Sequence, residues 1–149
     1  MKKQNIIRCV ICVMICSYLI IYCLPGYLIK SYIINDQIAE MEIVKTKNND
    51  SAIEKRLTIS KENKNNIIDL INDTVFIAKY SEFFNTADKD RFYIYGYDEN
   101  SDTILMLKSF GGEYLHFYWT PYNTESIESF FIIKNNSWKD TLNSIIFDE

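Results

Sequence analysis

The side chains that could do chemistry are few. The chain has a single histidine, His116, and all four cysteines (Cys9, Cys12, Cys16 and Cys23) lie in its uncharged opening stretch. One imidazole cannot build a multi-histidine metal cluster, and no thiol is available beyond Cys23 to complete one, so no metal or cofactor is expected. There is no G-x-G-x-x-G, no phosphate loop ending in G-K-[ST], no H-E-x-x-H and no G-x-S-x-G. A Ser–His–acid arrangement needs no adjacency in sequence, but nothing marks a particular serine. His116, between Leu115 and Phe117, reads as a structural or surface histidine, and no catalytic residue is expected. Asp98, Asn100 and Asp102 carry the i, i+2, i+4 oxygen spacing that opens a calcium loop. Thr103 stands where that loop needs Gly, however, and Ser109 where it needs a bidentate Glu. Asp and Asn bond their own backbone, so this stretch reads as a turn.

The aromatic residues point to binding instead. Tyr93, Tyr95 and Tyr97 alternate along one segment, and Tyr114, His116 and Tyr118 alternate along another, opposite Leu115, Phe117 and Trp119. In strands, each trio occupies a single face. Which faces join depends on the register across Gly111-Gly112, and a one-residue slip would reverse it. Two small helices cannot cover both sides of such a sheet, so one aromatic face should stay partly open. Tyr supplies stiff contact area with a hydrogen-bonding tip, which suits a protein or glycan partner. The competing explanation is that Tyr simply favours half-buried strand positions.

The opening stretch sets the address. Lys2, Lys3 and Arg8 precede an uncharged run from Cys9 to Ile29, and Lys30 closes it. Twenty-one residues in a helix span roughly 31 Å, about one hydrocarbon core. The organisation expected is a cytoplasmic N-terminus (1–8), a transmembrane helix (9–29), a juxtamembrane segment (30–37) and an exported domain (38–149). Signal-peptidase and lipoprotein cleavage patterns are poorly matched, which favours an uncleaved anchor over cleavage or lipidation. Basic residues before the span place the N-terminus inside. Pro25-Gly26 is expected to break the helix near the outer boundary, with Tyr22, Tyr27 and Tyr32 at headgroup level. The four cysteines fall within roughly a 60° stripe that Gly26 extends, a pattern suited to packing against a partner transmembrane helix.

The remainder carries 13 basic and 20 acidic residues, a net of −7. That balance argues against nucleic acid as a partner. With no cysteine, the exported part must be held by its apolar core alone. At 149 residues, 48% hydrophobic and 15% aromatic, with four Gly and two Pro, the chain has room for one core plus an appendage and does not read as disordered.

Periodicity predicts an α+β fold. Ala39, Met41 and Ile43 alternate with Glu40, Glu42 and Val44, and Leu57 and Ile59 alternate with Arg56, Thr58 and Ser60, around the turn-like Lys47–Ser51, which suggests a hairpin; a helix over about 36–57 competes with it. Ser60 should cap a helix at 61–72, with Glu62 favourable near its positive end and Ile67, Ile68, Leu70 and Ile71 on its apolar stripe. A short strand at 75–79 and a polar connection at 81–90 follow. Three strands then run over 92–97, 103–109 and 113–119, and a fourth over 127–133. A closing helix, capped by Asn136 or Ser137, carries Trp138, Leu142, Ile145 and Ile146. The fold class expected is an N-terminal transmembrane helix followed by a small antiparallel sheet with one or two packed helices.

That order of elements, with Arg56-Leu57-Thr58-Ile59-Ser60 leading into a helix and Ser137-Trp138-Lys139-Asp140-Thr141-Leu142 near the end, resembles uncharacterised membrane-anchored exported domains of low-GC Gram-positive bacteria. The resemblance covers roughly residues 38–147, and the Ile-, Asn-, Lys- and Tyr-rich usage looks like an AT-rich bacterial genome. It implies an address at the bacterial cell envelope and a fold, and carries over no catalytic residue. The function expected is a non-enzymatic, single-pass envelope binding module whose partners are the lipid bilayer and an envelope protein or glycan. The alternative is a membrane-associated immunity or toxin-neutralising protein in which the transmembrane helix itself does the recognition.

Overall fold

The computed structural model describes residues 2–33, 37–46, 53–80, 90–120, 125–135 and 137–147. The turn at 47–51, most of the connection after Tyr80, Asn136, and the side chains of Tyr32 and Glu62 lie outside the described residues. The fold is α+β: an apolar N-terminal helix, a seven-stranded antiparallel sheet and further helices.

The strands are β1 (Glu40–Thr46), β2 (Ile53–Thr58), β3 (Val75–Ala78), β4 (Arg91–Tyr97), β5 (Thr103–Phe110), β6 (Tyr114–Trp119) and β7 (Ile127–Lys134). Their order across the sheet is β2-β1-β4-β5-β6-β7-β3. Glu40–Thr46 and Ile53–Thr58 are thus paired antiparallel strands, as the hairpin reading expects, and not the competing helix. β4 to β7 form a meander of neighbours, and β3 crosses over to pair with β7 at the far edge. Gly111 and Gly112, at φ 60° and 77°, make the β5–β6 turn in a backbone region closed to most side chains. A bulge at the end of the β4–β5 ladder pairs Gly96 with Leu105 and Tyr97 with Thr103. The intervening Ile104 is buried in the core.

Alternation sorts the sheet into two faces. Met41, Ile43, Phe92, Ile94, Leu105, Leu107, Leu115, Phe117, Trp119 and Phe131 form the buried face. Helix α3 (Lys61–Asp73) contributes Ile67, Leu70 and Ile71 to the same core, and α4 (Trp138–Phe147) contributes Trp138, Leu142, Ile145 and Ile146. Trp138 satisfies its indole N–H by donating to Ser109 Oγ at 2.9 Å, across the helix–sheet interface. Ser60 caps α3 as expected, accepting from the Asn63 N–H at 3.2 Å.

The N-terminal helix departs from expectation. It does not break at Pro25-Gly26. It runs as α1 (Lys2–Tyr18), a π-helical turn (Leu19–Cys23) and α2 (Leu24–Ile33). In α-helical bonding the Ile21 carbonyl would accept from the N–H of residue 25, but Pro25 has none. The chain widens here, with the Leu24 N–H reaching back to the Leu19 carbonyl, and the Tyr80 hydroxyl donates to the Ile21 carbonyl at 2.6 Å. A wide turn and a partner from the sheet thus accommodate a proline that would otherwise end the helix.

Consequently α2 belongs to the folded unit. Ile29 and Ile33 lie in the core with Ile38, and Lys30 Nζ donates to the Asn72 carbonyl at 2.6 Å. Gly26 sits against β3 so closely that a Cβ there would lie 2.0 Å from the Phe76 carbonyl oxygen. The residues expected as the outer end of the span and as a juxtamembrane segment are therefore partly core. The cysteine stripe is also interrupted. Cys9, Cys12 and Cys16 are exposed and Cys23 is half-buried, while Gly26 faces β3, because the wide turn shifts the helical phase between Cys16 and Gly26.

Gly26→Ala is expected to lower stability by about 1–3 kcal/mol, since the helix must lift away from β3. Ile33→Ala is expected to cost about 2–5 kcal/mol by leaving a core cavity. Denaturant unfolding in detergent measures both.

Candidate functional site

Among the described residues, the helices pack on one face of the sheet and leave the second without a helix core. Cross-strand partners share a face, so the register assigns its occupants: Tyr95 pairs with Met106 and Met106 with Tyr118, while Tyr93 pairs with Lys108 and Lys108 with His116. Tyr114 pairs with Phe110, which pairs with Arg91 of β4. All six residues singled out from sequence (Tyr93, Tyr95, Tyr97, Tyr114, His116 and Tyr118) therefore lie on one face, and each is half-buried.

The tyrosines of β4 form a ladder. Tyr93 and Tyr95 rings stand 6.1 Å apart and 5° from parallel, and Tyr95 and Tyr97 stand 6.4 Å apart at 26°. Strand geometry projects residues i and i+2 side by side, so the rings line up along the chain. Lys108 Nζ lies 5.3 Å from the Tyr93 ring centre and 5.1 Å from that of Phe110, placing a cation between two π faces.

Charged groups flank the ladder. Glu42, opposite Tyr95 on β1, accepts from the Tyr97 hydroxyl at 3.0 Å and meets Arg56 Nε at 3.4 Å. Burial, with the Glu42 hydrogen bond second, raises the Tyr97 phenol above its ordinary value. Burial and the neighbouring Tyr93 raise Tyr95, and Arg56 opposes the shift. Arg56 lines two adjoining depressions, one of about 280 Å³ with Tyr93 and Tyr95, the other of about 290 Å³ with Tyr97 and Ser101.

His116 is held on the same face. Its ring stacks on Phe130 at 4.5 Å and 12°, and Nε2 lies 2.6 Å from Glu128 Oε1. The stack fixes the imidazole plane and the carboxylate holds its outer nitrogen. The Asp98 turn is likewise tied up: Oδ1 accepts from the Asn100 and Asp102 N–H groups at 2.8 and 2.9 Å. Among the described residues, no group of three or more His, Cys, Asp or Glu side chains could hold a metal ion.

Sequence reading missed Glu42, Arg56, Lys108 and Phe130. Each alternates correctly within its strand, but only the strand registers bring them beside the aromatics: Glu42 through β1–β4, Arg56 through β2–β1, Lys108 through β4–β5 and Phe130 through β6–β7. Cys9, Cys12 and Cys16 lie on the helix away from this face. No protein-family model, curated protein or solved structure matches the chain, so the reading of the site rests on its geometry.

The raised phenols make stability depend on alkaline pH. A tyrosine whose folded value exceeds its unfolded value of about 10 holds its proton more tightly in the fold. The associated stability is complete below that value and is lost as pH rises through the folded one. Titration of tyrosinate absorbance should show a late-titrating class, and Glu42→Gln should move both Tyr97 and Tyr95 back toward the ordinary value, Tyr97 more because it also loses a carboxylate hydrogen-bond acceptor.

Proposed function

We propose that this protein is a single-pass, membrane-anchored extracytoplasmic module of the bacterial cell envelope that binds a partner through the open aromatic face of its sheet, without catalysis. The observation that carries the reading is the gathering of Tyr93, Tyr95, Tyr97, Tyr114, His116 and Tyr118 on the face that the helices leave uncovered. Half-buried, mutually stacked rings lose little side-chain entropy on binding, and tyrosine is enriched among residues that dominate interface energies. Lys108 and Arg56 add cationic donors beside the rings, which suits a partner offering carbonyl, carboxylate or hydroxyl acceptors.

Anchoring is supported by the helix Gln4–Ser31, long and apolar enough to cross a membrane. An N-terminus in the cytoplasm is supported by Lys2, Lys3 and Arg8 ahead of the apolar run. The likeness in element order to anchored exported domains of low-GC Gram-positive bacteria is consistent with this address.

The test uses the full chain in detergent as bait against an envelope fraction. Wild-type protein is expected to retain a partner, and the double variant Tyr95→Ala/Tyr118→Ala to weaken retention about tenfold or more, as truncating two interface anchors does. Both side chains lie outside the helix-covered core, so the double variant should still unfold cooperatively, and its unfolding curve checks that it is folded under the conditions of the assay. Equal retention by the double variant would sink the reading.

A second reading, immunity or toxin neutralisation through the transmembrane helix, draws on Cys9, Cys12 and Cys16, which are exposed on α1. Exchanging residues 4–18 for an unrelated apolar helix while keeping Leu19–Ile33 leaves the core contacts intact. The binding-module reading expects function to survive this exchange; the immunity reading expects it to be lost.

A further inference from the structure

We propose that the domain rests directly on the bilayer, through a foot formed by Leu24, Tyr27 and Leu28 of α2 and by Tyr80 just beyond β3. This inference rests on the anchoring reading above and concerns where the lipid boundary meets the folded unit. Helix α2 has two sides. Gly26, Ile29 and Ile33 face inward, while Leu24, Tyr27 and Leu28 face outward, with Tyr27 73% exposed. The outward side continues the exposed apolar surface of α1 without a polar break, although the inward side is already packed on β3. An apolar face of this kind is costly in water, and lipid continuous with that around α1 is the occupant at hand.

Tyr80 extends the foot from the helix to the sheet. Its ring is 71% exposed, yet its hydroxyl is held on the Ile21 carbonyl and its edge packs on Tyr22 at 5.8 Å, with Tyr22 in turn 5.0 Å from Tyr18. Three tyrosines thus cluster at one level of the helix, where amphipathic rings sit at a headgroup boundary. Beside them opens a mainly apolar groove of about 360 Å³ lined by Pro25, Ala78, Lys79, Tyr80, Phe130 and Phe131, among others. Its position next to Pro25 suits a phospholipid chain lying against the foot. The headgroup boundary then lies along α2, from the tyrosine cluster to Tyr27 and Leu28, and no stalk separates domain from membrane.

Tryptophan scanning of the full chain in phosphatidylcholine vesicles tests this, using lipids brominated near the headgroup or deep in the chain. The native Trp119 and Trp138 are buried in the core and give a constant background. Tyr27→Trp and Tyr80→Trp should be quenched several-fold more by shallow bromines than Ile53→Trp, which lies exposed on the opposite edge strand. Tyr27→Trp disturbs no hydrogen bond to the sheet, so it guards against a local effect of replacing Tyr80. Met14→Trp should be quenched by deep bromines. If Met14→Trp is quenched while Tyr27→Trp and Tyr80→Trp behave like Ile53→Trp, the foot is refuted and the anchor stands. If Met14→Trp is not quenched, the anchoring reading falls and the foot with it.

Discussion

The structure turns on one close backbone contact, that of α2 with β3 at Gly26 and Phe76. A glycine brings the helix against the strand, and every element nearby answers to that approach. Ile29 and Ile33 reach the core because the helix lies low on the sheet. Lys30 reaches the end of α3 for the same reason. The π turn and the Tyr80 hydroxyl then keep the helix continuous through Pro25. One segment thereby serves as an exposed apolar rod at its beginning and as a core helix at its end. The chain passes from α1 into the core helix α2 through the π turn, with no linker between them.

The second consequence is the asymmetry of the sheet. Ile38 and the inward residues of α2, α3 and α4 all join one core cluster, so the helices gather on one side. The other face is stabilised within itself, by ring ladders, cation–π contacts and the Glu42–Arg56 and His116–Glu128 pairs. Pairs of this exposure contribute little individually. Their main effect is to hold side chains in fixed orientations. The edges differ in the same way. β3 has α2 packed against it, whereas β2 carries Glu54, Lys55 and Arg56, charges that discourage edge-to-edge pairing with another chain.

How much of this was legible in sequence follows from the range of each interaction. The apolar run, the alternation of β4 to β7, the Ser60 cap and the amphipathic α3 and α4 are local patterns, and each element lies within a few residues of where periodicity predicts it. The hairpin of β1 and β2 is ambiguous in sequence because Ile38, Met41 and Lys45 fit a helical period while Ala39, Met41 and Ile43 fit a strand period; pairing with β4, a long-range contact, decides it. The break expected at Pro25-Gly26 follows from local propensity, and a donor 59 residues away in sequence overrides it. Likewise Gly26 could be read as the end of a small-residue stripe until β3 was seen to occupy it.

By itself, then, the sequence determined the apolar helix, the α+β class and the alternation of Tyr93, Tyr95 and Tyr97 and of Tyr114, His116 and Tyr118. These depend on side-chain period and turn chemistry, which are properties of neighbouring residues. Only the tertiary structure decided that both trios share the bare face, that Glu42, Arg56, Lys108 and Phe130 complete it, and that the helix enters the core at Gly26. Those outcomes rest on strand register and on the distance between backbones remote in the chain, and a period of two or of 3.6 residues carries no information about either.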